Sequence, residues 1–213
     1  MSVRDGVKAG LRAVAHVIAT PFVLSFTVRA ALLGRDRAIQ SSTQLLALVP
    51  GLTGQYIRRA FLSRTIGACH HTVVVEFGTT FSRAGARLDE RAYIGPGCHL
   101  GLVHVERDVL IAAGVQIPSG SMTHRIDDVT RSIRDQPSAE RLVRIGAGSW
   151  IGAAAVVMAD VGRDTVIGAG AVVTQPVPGG VVAAGVPARV IRIRGEPPAR
   201  VVRVRGEQPA CAV

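Results

Sequence analysis

The chain has 213 residues, of which 48% are hydrophobic and only 4% aromatic, which excludes a disordered or collagen-like polypeptide. The 24 glycines and abundant valine point to many short strands and tight turns around a core of small and β-branched side chains. The formal charge of +10 sits at the ends: residues 1–65 hold nine basic and two acidic side chains, 66–187 ten and eleven, and 188–213 six and two. The basic ends lack the aromatic residues a nucleic-acid binder would use, so anionic lipid or a phosphorylated cofactor is the expected partner, not nucleic acid. Three cysteines, Cys69, Cys98 and Cys211, form no C-x-x-C pair and no disulfide framework, and a reduced cytoplasmic setting follows.

Residues 1–65 read as an N-terminal helical extension. From Leu11 to Leu33 the text is rich in Ala, Val, Leu and Phe, but only sixteen residues separate Arg12 from Arg29, and they include His16 and Pro21. That is short of the roughly 20 apolar residues of a bilayer span. Two readings remain. One is a helix packed on the body or on another subunit. The other, preferred, is an interfacial or re-entrant helix pair on the inner face of a membrane, broken at Pro21 and flanked by Arg29, Arg35, Arg37, Arg58 and Arg59. A second apolar stretch, Leu45 to Val49, ends at the turn signal Pro50-Gly51.

Residues 66–187 carry an internal repeat. Leu88, Ile94 and Leu100 fall six apart, as do Val105, Ile111 and Ile117, then Ile145, Ile151 and Val157, then Val161, Ile167 and Val173. Gly follows the aliphatic at 95, 101, 146, 152, 162 and 168, and a small or β-branched residue stands four after it, as at Ala92, Cys98, Val115 and Ala171. A six-residue spacing supplies no helical face. It suits a short strand and a tight turn with the aliphatic inward. Three such units make one triangular coil, and stacked coils make a solenoid. The expected class is all-β, a parallel β-helix with an N-terminal helical extension and a protruding loop.

The run from Ile145 through Val157, the run Val166-Ile-Gly-Ala-Gly-Ala-Val-Val-Thr, and Val182-Ala-Ala-Gly-Val-Pro-Ala-Arg-Val-Ile-Arg resemble the hexapeptide-repeat acyltransferases. The resemblance spans about residues 70–194 and is nearest to the galactoside, maltose and xenobiotic O-acetyltransferases. It implies a left-handed coil, where parallel crossovers are ordinarily right-handed. The stretch Leu45 to Phe61 is similar to acyltransferases associated with surface-polysaccharide synthesis.

The six-residue rhythm stops for residues 122–143, a polar segment with Thr123, His124, Arg125, Asp127, Asp128, Arg131, Arg134 and Asp135. A loop that leaves a rigid solenoid costs ordering entropy and usually carries function. In the family a histidine opens this excursion as general base and an arginine lies seven residues on, which His124 and Arg131 match. The resemblance implies an acetyl-CoA-dependent O-acetyltransferase acting on a hydroxyl of a sugar or glycan precursor, without a covalent intermediate. Glu106, Asp108 or a backbone carbonyl are candidates to orient His124, and His104 to reach the acceptor. The family places acetyl-CoA between two subunits of a homotrimer. That maps cofactor binding onto Trp150, Ala153, Ala169, Thr174, Gln175, Arg189 and Arg192, with packing the alternative role for Trp150, Ala153 and Ala169. Gln175 stands where relatives often carry Lys.

Two competing functions are a non-catalytic hexapeptide scaffold and a zinc enzyme of the γ-carbonic anhydrase type. His99 and His104 have a spacing seen in the latter, but no third histidine stands at the required distance upstream, and no metal is expected. In the basic C-terminal segment, 188–213, residues 188–198 (ARVIRIRGEPP) are nearly duplicated by 199–209 (ARVVRVRGEQP), which reads as an extra strand or a tail. The expected location is the cytoplasm, peripheral on the inner face of the membrane.

Overall fold

The computed structural model describes residues 3–196. Three helices open the chain, α1 (Val3–Leu33), α2 (Arg35–Ala47) and α3 (Gly51–Thr65). Sixteen short strands follow among the described residues. The first coil holds β1 (Ala68–Cys69), β2 (Val74–Val75) and β3 (Thr80–Phe81), and the second β4 (Arg87–Leu88), β5 (Tyr93–Ile94) and β6 (His99–Leu100). The third holds β7 (Val103–Val105), β8 (Leu110–Ile111) and β9 (Gln116–Ile117), and the fourth β10 (Val143–Ile145), β11 (Trp150–Ile151) and β12 (Val156–Val157). The fifth enters at Val161 and holds β13 (Val166–Ile167) and β14 (Val172–Val173). The sixth enters at Val177 and ends in β15 (Val181–Ala184), against which β16 (Arg189–Ile193) turns back antiparallel.

The strands stack into three parallel faces. Face A is β1-β4-β7-β10, face B is β2-β5-β8-β11-β13-β15 with β16 at its end, and face C is β3-β6-β9-β12-β14. The sequence repeat is thus a three-sided solenoid of about six turns. Its inward residues, Leu88, Ile94, Leu100, Ile111, Ile117, Ile145 and Ile151 among them, are fully buried. Coils approach so closely that a Cβ on Gly152 would overlap the Ala169 nitrogen of the next coil. Left-handed corners are mostly Gly, as at Gly97 and Gly114, but Arg91, Asp108, Ala154 and Asp164 also take positive φ.

The helices close one end of the stack. Val74 and Thr80 pair with the second coil, donating to Ala92 O and Cys98 O, so the backbone groups of their neighbours point away, where no further coil exists. The helices supply the partners. Thr43 Oγ1 accepts from Phe81 N (3.0 Å) and donates to Phe81 O (3.2 Å). Arg58 Nε donates to Val75 O (3.0 Å) and Arg59 Nη1 to Val73 O (3.3 Å). Arg58 is almost fully buried and also donates to Leu46 O and Val49 O, locking the α2–α3 turn. Burial lowers its pKa, with Glu76 opposing. At the other end β16 covers β15, and Arg194 N donates to Gly180 O.

Two expectations need correction. The break at Pro21 is absent: α1 is one 31-residue helix through it. Pro21 forfeits one backbone bond, but Ala15, Ala19 and Phe26 pack both halves into the core, Phe26 edge-on to Phe61. Arg64 Nη1 also holds the preceding turn at His16 O and Thr20 Oγ1. In addition, Lys8–Leu33 forms a 26-residue stretch long and apolar enough to cross a membrane by length and composition, because the helix continues past Arg12 and Arg29. The segment from 188 is a strand for its first part, and the duplicated copy, 199–209, lies outside the described residues.

Thr43→Val keeps the shape and removes the hydroxyl that serves both backbone groups of Phe81. Urea unfolding is expected to show a loss of about 2 kcal/mol or more, the cost of buried groups left unpaired.

Candidate active site

The loop leaves the third coil after Ile117 and returns at Val143 without disturbing the stack, since Val103 pairs with Val143 and Val105 with Ile145. Its neck is closed by backbone bonds, Arg141 N to Ser119 O (2.8 Å) and Ala139 N to Met122 O (3.0 Å). Its hub is Gln136, the loop's one buried polar side chain between 121 and 141. Gln136 Nε2 donates to Asp128 O and Arg131 O, and its Oε1 accepts from Asp128 N. Asp128 in turn accepts from Thr130 N and Oγ1, which lowers its pKa. A short 3-10 turn, Ile133–Asp135, completes the segment.

His124 sits exposed on the outgoing limb, two residues beyond Met122, and makes no side-chain hydrogen bond among the described residues. Arg131 lines a cleft of about 380 Å³ within the loop, beside Arg125, Asp127 and Asp128. A second cleft of about 440 Å³ lies at the loop's base. There Gly120, Ser121 and Met122 meet Glu140 and Arg141 of the returning limb and Thr174 and Gln175 of the fifth coil. Thus the structure brings Thr174 and Gln175 to the root of the segment that carries His124. Ala153 and Ala169 occupy stacked, exposed turns at the opposite edge of face C, joined by Gly170 N donating to Ala153 O. Face C of the fourth and fifth coils therefore lies between the two sets. Ala188 N donates to Val172 O at the end of face C, whereas Arg189 and Arg192 stand on β16, which pairs with β15 at the end of face B. Trp150 is elsewhere: it stands on face B, half-exposed, between Leu110 and Val166.

His104 is not brought to the loop. It faces outward on face A in register with Arg87 and Arg144, and its Nε2 lies 2.9 Å from Asp89 Oδ2. The two line a separate groove of about 320 Å³ with Glu106 and Arg163. Neither acidic candidate reaches His124. Glu106 accepts from Ala147 N, and Asp108 pairs with Arg91. His99 and His104 stand on different faces, C and A, so their sequence spacing does not make a shared metal site within one protomer. His99 Nδ1 bonds Thr80 Oγ1 (2.9 Å), and burial, then Arg83, lowers its pKa. No cluster of three or more His, Cys, Asp or Glu capable of holding a metal occurs among the described residues. Cys69 is pushed up to about 12 by burial and Cys98 is also raised, so neither is a ready thiolate.

Sequence reasoning missed the loop's tether. Arg83, at the corner after the first coil, forms a two-pronged ion pair with Glu140 on the returning limb. The partners are 57 positions apart and no local pattern couples them. Gln136 was missed for the same reason.

No family model matches the chain. It is 41% identical over 73 residues to a probable acetyltransferase of Mycobacterium tuberculosis, a match covering 33% of this chain and 24% of that one. It is 28% identical over 163 residues to the galactoside O-acetyltransferase of Escherichia coli, covering 67% and 80%. The chain thus spans about a quarter of the first relative and four fifths of the second. Among solved structures, a maltose O-acetyltransferase from Clostridium difficile superposes with a TM-score of 0.66 at 25% identity, covering 78% of this chain and 89% of that one. A galactoside acetyltransferase in complex with coenzyme A shares the fold, with a TM-score of 0.57 at 23% identity, covering 74% and 80%.

The Arg83 hydrogen bonds hold the Glu140 carboxyl below its usual range. Such a group stabilises above its unfolded pKa, about 4.3, and loses that contribution as pH falls through the lower folded value. Glu140→Gln is therefore expected to speed amide hydrogen exchange in residues 122–139 at neutral pH. The wild-type loop should loosen only below the ordinary glutamate range.

Proposed function

We propose that this chain, which resembles the hexapeptide-repeat acyltransferases in its repeat and its fold, is an acetyl-CoA-dependent O-acetyltransferase whose acceptor is a hydroxyl of a sugar or glycan precursor. One observation carries the reading. The solenoid is interrupted by a polar loop that bears His124, and the root of that loop shares a cleft with Thr174 and Gln175. The scaffold alternative gives no reason for a loop so exposed to be organised around a buried glutamine and tied to the frame by an ion pair.

The chemistry asks little of the protein beyond placement and one base. A neutral imidazole at His124 takes the proton of the acceptor hydroxyl as its oxygen attacks the thioester carbonyl carbon. Negative charge moves onto the carbonyl oxygen, where backbone N–H donors would stabilise it. When the carbon–sulfur bond breaks, the imidazolium returns the proton to the leaving sulfur, and the acetyl group stays on the acceptor oxygen. Holding both substrates in line supplies the remainder. On this reading Ala153 and Ala169 let the pantetheine arm lie close to the backbone. Arg189 and Arg192 meet phosphate oxygens, and Arg131 helps hold the acceptor. His104, paired with Asp89 on another face, is assigned no part in the transfer.

The assembly is proposed to be a homotrimer. The outward column of face B runs Tyr93, Leu110, Trp150, Val166 and Val182, and Leu110 and Trp150 are half-exposed there. This is the apolar surface a neighbouring protomer would cover, and it would bring Trp150 to the edge of that neighbour's cofactor groove. The reaction belongs on the cytoplasmic side, where acetyl-CoA is found.

His124→Ala is expected to lower kcat about 100- to 10,000-fold in an assay of thiol release from acetyl-CoA with a panel of galactosides, maltosides and nucleotide sugars. Full activity in the variant would remove His124 from the mechanism, and a wild type that binds no acetyl-CoA would leave the scaffold reading. Leu110→Arg is expected to reduce the mass seen by light scattering from that of a trimer to that of a monomer.

A further inference from the structure

Helix α1 is apolar on two sides, and only one of them has a partner among the described residues. Ala15, Ala19 and Phe26 face the core, with Phe22 and Val23 packed beside them. The other side carries Leu11, Val14, Val17, Leu24, Val28 and Leu32, all exposed, with Val17 72% and Leu32 75% open to solvent. At 100° per residue these six fall within about 140° of the helix circumference and run for about 32 Å along it. A helix apolar on every side is ordinarily enclosed by protein or by lipid. Protein encloses one half of α1.

Charge says which surroundings suit the other half. Helices α1 to α3 carry nine basic side chains against Asp5 and Asp36, and Asp36 is turned to the body, where its Oδ1 accepts from Ala84 N. Arginines stand along both flanks of the apolar stripe. Arg29 is held by Ser41 and Ser42 on one side, and Arg64 by His16 O and Thr20 Oγ1 on the other.

We propose that the exposed face of α1 docks this protein on an anionic phospholipid bilayer, the helix lying in the plane of the interface with its arginine-flanked stripe among the acyl chains. The stretch Lys8–Leu33 is long enough to span a bilayer, but crossing would strip its packed face from α3. Lying flat keeps that face in place and buries only the open one. Lipid also fits better than a second copy of the chain, whose contact would bring arginine flank against arginine flank. The inference goes beyond the proposed transfer and does not rest on His124.

The test is co-sedimentation of the full-length protein with vesicles of phosphatidylcholine alone and of phosphatidylcholine mixed with phosphatidylglycerol. Wild type is expected to pellet with the mixed vesicles and to stay mostly in solution with the neutral ones. Val17→Glu/Val28→Glu changes two exposed positions and is expected to weaken binding to the mixed vesicles roughly tenfold or more, with the circular dichroism spectrum and thiol release unchanged. Wild type that ignores mixed vesicles, or a double variant that binds them as well as wild type, overturns the proposal. So does a wild-type oligomer that the double variant dissociates in light scattering, which would make the stripe a contact between copies. Vesicle binding that survives alkaline carbonate also overturns it, in favour of a spanning helix. Thiol release measured in parallel reads the transferase proposal separately.

Discussion

A stack of parallel coils has ends, and at each end alternate backbone groups face a layer that does not exist. Inside the stack every coil is both donor and acceptor to its neighbours, so the six-residue rhythm needs only an inward aliphatic and a tolerant corner to persist. At the first coil that solution fails, and the chain supplies another. Thr43 serves Phe81, Arg58 serves Val75 and Arg59 serves Val73, with Arg58 also fastening the carbonyls of the α2–α3 turn. The helical extension is therefore part of the frame. An unpaired parallel edge would otherwise invite end-to-end association of copies.

The frame makes a rigid base from which one irregular segment departs. Coils three and four keep their register across the excursion, so strain in the loop does not reach the core. The loop has its own small interior in Gln136 and its own tether in the Arg83–Glu140 pair. Residue 124 is thereby left on an exposed limb whose root is fixed beside Thr174 and Gln175.

How much of this was legible in the sequence follows from the range of each interaction. The solenoid was legible because each inward site, Ile94 or Ile111 for instance, admits the same kind of side chain at the same interval. The loop was legible as the one place where that interval fails. The number of N-terminal helices and the continuity of α1 through Pro21 were not, since they depend on Ala15, Ala19 and Phe26 meeting α3. The cap at Thr43 and the tether at Glu140 were also hidden, because they join positions 38 and 57 residues apart through a single side chain. His104, a candidate to reach the acceptor, stands on face A beside Asp89 and not at the loop of its own chain, a placement that depends on which face of the coil its position falls on.

The matched rungs on either side of the excursion have an evolutionary corollary. The detour lies between β9 and β10, and Arg141 N donating to Ser119 O (2.8 Å) closes its neck, so it begins and ends at one corner of the stack. Insertions, deletions or wholesale replacement of that detour leave every rung of the ladder in place. The segment that carries His124 can then be exchanged like a cassette, while the ladder that supports it is inherited intact.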